Sequence, residues 1–111
     1  MQKGLPQMMV ILQPRYDEDA PGTVYDALVE GRANSEGIAL AAVALCHRAG
    51  LDCRIVYGHK EFENHCWNII RVDGDYYHLD VCSGIFLKSD AQMWESFRWT
   101  VADYPRCVTE T

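Results

Sequence analysis

From Asn34 or Ser35 to Ala49 nearly every side chain is apolar: Ile38, Leu40, Ala41, Ala42, Val43, Ala44, Leu45 and Cys46 leave only His47 and Arg48 polar near the end. A helix that is hydrophobic on most of its sides must be enclosed by the rest of its chain. A chain of 111 residues has material for one such core. Gly50 stands at the C′ position, and His47 and Arg48 lie where positive charge suits the helix dipole. Residues 1–111 are therefore expected to form a single domain around this helix.

The enclosing elements follow it. Asp52-Cys53-Arg54-Ile55-Val56-Tyr57 reads as a strand ended by Gly58, with a polar loop from His59 to Asn64. Two further strands, about His65 to Val72 and Asp75 to Val81, flank Asp73-Gly74, the strongest short signal for a hairpin. If Asp73-Gly74 is a two-residue turn, Val72 pairs with Asp75, and His65 faces Cys82 with Asp80 as its diagonal neighbour on the same sheet face. Diagonal neighbours about 7–8 Å apart leave room for a histidine–carboxylate hydrogen bond. Before the helix, Pro14 and Pro21-Gly22 bracket an exposed acidic turn, Tyr16 to Asp19. Thr23 and Asp26 suggest a capped short helix that presents Tyr25, Leu28 and Val29 on one face and stops at Gly31. After the sheet, Ser89-Asp90-Ala91-Gln92 opens a last helix whose Met93, Trp94 and Phe97 should cover one side of the sheet.

Composition excludes several classes of function. An apolar fraction of 49% with 23% charged residues is that of a soluble globule, and no apolar run approaches the ~18 residues that span a membrane. The net charge is −6 and the basic residues are scattered singly, so the stripe that neutralises nucleic-acid phosphates is missing. Cys46, Cys53, Cys66, Cys82 and Cys107 cannot all pair within one chain, and no C-x-x-C occurs. Neither a disulfide framework nor a zinc ribbon is suggested, and free, mostly buried thiols are the expectation. Met8 to Leu12 is an apolar fragment with no clear beginning, as in a domain cropped from a longer chain.

Three short stretches carry chemistry. They are Gly31-Arg32-Ala33-Asn34-Ser35-Glu36-Gly37-Ile38-Ala39, then His65-Cys66-Trp67-Asn68, then Tyr76-Tyr77-His78-Leu79-Asp80. The pattern resembles the transglutaminase-like branch of the papain-type cysteine enzymes, whose motifs read roughly G-x-x-C-x-G-x-A, H-x-W-N and a hairpin ending W/Y-x-x-x-D. The second motif is met in full. The first is met at Gly37 and Ala39, with Arg32 where the leading glycine would be and Ser35 in the cysteine position. The resemblance covers about Tyr16 to Val81, with weaker echoes around Phe86 to Asp90 and at Trp99. It implies an α+β fold, a central helix packed on a small antiparallel sheet in a transglutaminase-like, papain-like core. It also implies that residues 1–15 are the remnant of a preceding helix; the compartment stays open, with an extracellular or cell-surface domain of a larger bacterial protein as one setting.

The same resemblance gives Ser35 the nucleophile's place, His65 the role of general base and acid, and Asp80 that of its orienter. Strand alternation puts Trp67 on the His65 face, where it can wall the substrate site, and Asn68 on the other face, where it can bond backbone, both as structural residues. Each residue also has a plainer reading. Ser35 can be a simple N-cap, His65 a satisfied strand histidine and Asp80 a strand-end residue bonding a turn. Their placement, fifteen residues apart across a hairpin with Ser35 opening the apolar helix, favours inherited triad geometry. A cysteine at the helix start beside His65 would exist largely as thiolate. A serine does not inherit that, because its hydroxyl is far less acidic. Cys66 alternates to the opposite strand face and is not expected to act as the nucleophile. His78, Asp80 and Cys82 at i, i+2 and i+4 are zinc-ligand types, but the family pattern accounts for Asp80 and His65 without metal, so neither metal nor cofactor is expected.

Two classes of function remain. One is acyl transfer or amide hydrolysis on peptides or proteins, inactive or weak with Ser35 in place of cysteine. The other is a pseudoenzyme that binds a peptide or protein in the inherited groove. The source gene's codon for residue 35 separates a replaced cysteine from a natural serine.

Overall fold

The computed structural model describes residues 15–110. The apolar run forms α1, Ser35–Arg48, and both of its ends are closed by local chemistry. Asn34, in extended conformation, accepts a hydrogen bond from the Gly37 N–H at 3.0 Å, so the cap is Asn34 and not Ser35. That bond stabilises the helix by about 1 kcal/mol. At the other end Gly50 has φ +77°, its N–H bonds the His47 carbonyl, and the Leu51 N–H bonds the Cys46 carbonyl. This is the Schellman closure that a glycine at C′ permits.

The chain then forms β3 (Cys53–Lys60), β4 (Glu63–Val72), β5 (Asp75–Asp80) and β6 (Ile85–Lys88), with β1 (Arg15–Tyr16) and β2 (Arg32–Ala33) preceding α1. A short helix α2 (Asp90–Met93) and a strand β7 (Phe97–Arg98) follow. The main sheet is antiparallel with order β6-β5-β4-β3-β7, while β1 and β2 form a separate parallel pair. Asp73 and Gly74 both have positive φ, 52° and 90°, as a type I′ turn requires. The β4–β5 register is the one expected, running from Val72↔Asp75 to Asn68↔Leu79.

Alternation along β4 separates two layers. Ile70 and Val72, with Cys53, Tyr77 and Leu79, pack on Cys46 of α1. Trp67 and Ile69, with Val56, pack on Met93, Phe97, Trp99 and Cys107 of the C-terminal segment. Asn68 faces α1, donating to the Ala39 carbonyl at 2.9 Å and the Arg54 carbonyl at 3.3 Å, and so fastens the helix to the sheet.

Three expectations need correction. Gly58 does not end its strand: β3 continues to Lys60, and the expected polar loop His59–Asn64 shrinks to a turn at Glu61-Phe62 between Lys60 and its partner Glu63. Gly58 is there because neighbours fill its side-chain space, the Arg98 carbonyl lying 2.4 Å and the Trp67 ring 2.7 Å from where a Cβ would stand. The last helix stops at Met93, and Phe97 lies in β7, because the prolonged β3 offers its edge at His59 and Lys60 to Arg98 and Phe97. The capping box at its start is complete, Ser89 and Gln92 bonding reciprocally. Third, β5 ends at Asp80 and the chain turns through Val81 to Gly84, so Cys82 is not a ladder partner of His65.

Thr23 caps the segment before Gly31, where Asp26–Glu30 form a π-helical turn, as its hydroxyl bonds the Asp26 side chain and accepts the Asp26 N–H. Tyr25, Leu28 and Val29 stay at the surface while Ala27 is buried. The helical remnant expected over residues 1–15 lies outside the described residues except for Arg15, which begins β1.

Candidate active site

Asp80 closes β5 with only 1% of its surface exposed, and a buried carboxylate requires partners. It has two on one oxygen: His65 Nε2 at 2.9 Å and the Ser83 hydroxyl at 2.7 Å. Lys60 Nζ in turn donates to Ser83 Oγ at 2.8 Å, so a line runs Lys60, Ser83, Asp80, His65. Facing a carboxylate, Nε2 of a neutral His65 carries the proton, which leaves Nδ1 as the basic nitrogen. The ring is held on three sides, stacked on Trp67 (6.1 Å, 23°), edge-on to Tyr16 (6.3 Å, 88°) and tilted to Phe97 (6.2 Å). Across the sheet it faces Gly58, whose side-chain space is taken by the Trp67 ring and the Arg98 carbonyl.

Ser35 is the first residue of α1, half-buried, and with the cap supplied by Asn34 its hydroxyl is free for another partner. That partner is the backbone N–H of Cys66, which donates to Ser35 Oγ at 3.1 Å. Ser35 and His65 line one cleft of about 590 Å³, together with Tyr16, Tyr57 and the carboxylates Glu18, Glu36 and Glu63. Among the described residues no hydrogen bond joins Ser35 to the imidazole. Cys66 lines this cleft too, and burial first, then the Glu36 charge, pushes its thiol above the ordinary value, with the Ser35 side chain acting in the opposite direction. The Cys82 thiol, beside Asp80, is pushed up to about 12 by burial and that carboxylate.

Trp67 stands beneath His65, buried at 1% exposure, and is not among the residues lining the cleft. Its indole N–H donates to His78 Nδ1 at 3.0 Å, and His78 Nε2 bonds Asp90 Oδ1 at 2.7 Å. His78 is thus fixed as the neutral Nε2–H tautomer, and the other Asp90 oxygen accepts the Cys107 N–H at 3.2 Å. The ligand types His78, Asp80 and Cys82 are consequently split: His78 groups with Asp90 and Cys107, while Asp80 and Cys82 group with His65. Ser83 and Lys60 were not legible as part of the site. The D-x-x-S spacing was a signal for Ser83, but Lys60 reaches it only because β3 runs past Gly58.

Burial lowers the His78 pKa from its ordinary 6.5, the Asp90 hydrogen bond and charge opposing. A depressed folded-state value means that the unfolded chain takes the proton first. The stability contributed is therefore fully present above pH ~6.5 and is lost as pH falls through the lower folded value. His78→Gln should flatten this acid slope, measured by urea unfolding at about pH 5 and about pH 7.5, while costing about 1–3 kcal/mol near neutrality through imperfectly bonded Trp67 and Asp90.

A family model described as the transglutaminase-like superfamily matches residues 8–81. No curated protein matches the chain. Among solved structures, a Cytophaga hutchinsonii protein provisionally assigned as a cysteine protease superposes with TM-score 0.61 at 18% identity, over 73% of this chain and 31% of that one. A crystal structure of a TGase superposes with TM-score 0.60 at 15% identity, over 86% of this chain and 30% of that one. At such identities the superpositions speak for the fold, a helix on an antiparallel sheet as in transglutaminase-like proteins, and the chain spans under a third of either relative. The family match covers the whole of α1, β4 and β5, which build the cleft, and the chain belongs to the transglutaminase-like superfamily.

Proposed function

We propose that the cleft between the start of α1 and β4 is an acyl-transfer or amide-hydrolysis site of the cysteine type, with Ser35 in the nucleophile's position, His65 as general base and acid, and Asp80 as its orienter. The observation that carries this reading is the buried His65–Asp80 bond of 2.9 Å, which commits Nε2 and leaves Nδ1 for proton transfer in the cleft that Ser35 also lines. The substrate class is the amide of a peptide or protein side chain. With a thiol, the imidazole would hold the proton, sulfur would attack the carbonyl, backbone N–H groups at the helix start would receive the developing oxyanion, and His65 would protonate the leaving amine. With Ser35 the hydroxyl must lose its proton as it attacks, so the site is inactive or weakly active. The two structural relatives, one provisionally assigned as a cysteine protease and the other a TGase, agree with this chemistry.

A peptide- or protein-binding pseudoenzyme is the second reading, and one observation favours it: the Ser35 hydroxyl is engaged by the Cys66 backbone and not by the imidazole. Turnover separates the two. Ser35→Cys, given glutamine-containing peptides with and without a primary amine, is expected to release ammonia or incorporate the amine, and His65→Ala in that background to abolish both. Binding of such peptides without turnover by the folded Ser35→Cys variant would favour the binding module.

A further inference from the structure

We propose that His65, Asp80 and Cys82 form a binding site for a thiophilic divalent cation of the zinc class, which takes the place of the proton shared between the histidine and the aspartate. One nitrogen, one carboxylate oxygen and one sulfur lie within 4.8 Å of one another. Around Zn²⁺, bonds of about 2.0–2.3 Å separate neighbouring ligand atoms by roughly 3–4 Å, so side-chain rotation of an ångström or so closes the set. The sulfur reaches the pair because the chain turns after Asp80, the Ser83 N–H bonding the Asp80 carbonyl at 3.2 Å, which brings Cys82 back beside the carboxylate. Three protein ligands leave a fourth position for water. Access exists: His65, Cys82 and Ser83 line a second cleft of about 330 Å³ together with Tyr16, Lys60 and Glu63.

The other cluster of ligand types is a useful contrast. In His78, Asp90 and Cys107 both imidazole nitrogens are already engaged, by Trp67 and Asp90, and His78 and Cys107 are fully buried. Metal there would break the indole bond and has no route in. At His65 the cation replaces the hydrogen bond to Asp80 by coordinate bonds to both partners, the Nε2 proton of the neutral imidazole moving to Nδ1, and it releases one proton, that of the Cys82 thiol, as bound thiols are deprotonated on coordination. Lys60 opposes it through Ser83, and that hydroxyl can follow the lysine when the carboxylate turns to the metal.

The proposal does not rest on acyl transfer, since it needs only the ligand atoms. If the site is catalytic, a metal on Nε2 and Asp80 switches it off by occupying the base and its orienter.

The test is titration of the reduced full chain with Cd²⁺, following cadmium–thiolate charge-transfer absorbance and the ¹⁵N imidazole resonances. One Cd²⁺ per chain should bind at micromolar or lower concentration, be displaced by Zn²⁺, and shift the His65 ring signals while leaving those of His78 in place. Cys82→Ser should abolish the absorbance and weaken binding by at least about 100-fold, beyond the roughly 10–100-fold that disturbing an outer-shell partner costs. Cys66→Ser and Cys107→Ser should change neither. Absence of the band, its survival in folded Cys82→Ser, or its loss in Cys66→Ser or Cys107→Ser would overturn the proposal. Should Cys82→Ser not fold, the imidazole shifts of the unaltered chain decide it, movement of His78 and not His65 being the contrary result.

Discussion

Ser35→Cys is expected to create a thiol that alkylates readily well below the free-cysteine pKa of about 8.5, because the helix start and His65 both stabilise its thiolate. At about pH 6 a free thiol is roughly 0.3% ionised, whereas one lowered to about 5.5 is about 75% ionised; a loss of intrinsic nucleophilicity of roughly 20-fold still leaves alkylation about tenfold faster. The native thiols make a quiet background for the measurement. Cys82 and Cys107 are pushed up to about 12, mainly by burial, Cys66 is raised by burial, and Cys46 and Cys53 are buried against each other. The unaltered protein should therefore show no comparable reaction. In the Ser35→Cys background, His65→Ala should restore slow, free-cysteine-like alkylation, and Asp80→Ala should weaken the effect in part, since it removes the orienter and leaves the base. An introduced thiol in a folded domain that reacts no faster than a free cysteine would mean that the site has lost more than its nucleophile, and would favour the binding reading.

What could be read from the sequence is what short-range rules determine. Asp73-Gly74 accepts positive φ at both turn positions, and that one turn sets every pair from Val72↔Asp75 to Asn68↔Leu79 and hence the approach of His65 to Asp80. Gly50 closes α1 as C′ glycines do, and the Ser89–Gln92 box forms as spaced. What escaped was decided by partners distant in the chain. Ser35 and Asn34 are both good caps, and which one serves depends on the Cys66 amide that engages the serine. Cys82 was placed on a strand face by extending a period of two past Asp80, whereas a turn carries it to the edge of the His65–Asp80 pair. Trp67 lies beneath the imidazole because its N–H bonds the buried His78, a partner eleven residues away in the chain.

Gly58 shows the same limit most sharply, and adding even one methyl group there should damage the fold. Read locally, a glycine after a β-rich run marks a strand end. In the folded chain it pairs with His65 in mid-strand, where a Cβ would stand 2.4 Å from the Arg98 carbonyl oxygen and 2.7 Å from Trp67 Cη2. Neither neighbour yields easily: the carbonyl belongs to the β7 backbone paired with β3, and the indole is tied to His78 and packed on Phe97 and Trp99. Gly58→Ala is therefore expected to cost about 2–4 kcal/mol, an overpacking penalty at the upper end of the usual range, lowering Tm by on the order of 10–20 °C. Gly31→Ala is the control, since its φ of +72° is unfavourable to a side chain but nothing lies within 4 Å; about 1–2 kcal/mol is expected there. Urea unfolding followed by tryptophan fluorescence measures both. Because the displaced ring is the one under His65, Gly58→Ala should also slow alkylation in the Ser35→Cys background, which Gly31→Ala should leave unchanged. A Gly58→Ala domain within about 0.5 kcal/mol of the parent, the ordinary range for an exposed surface change, would mean that β7 does not close over the edge of β3 at this position.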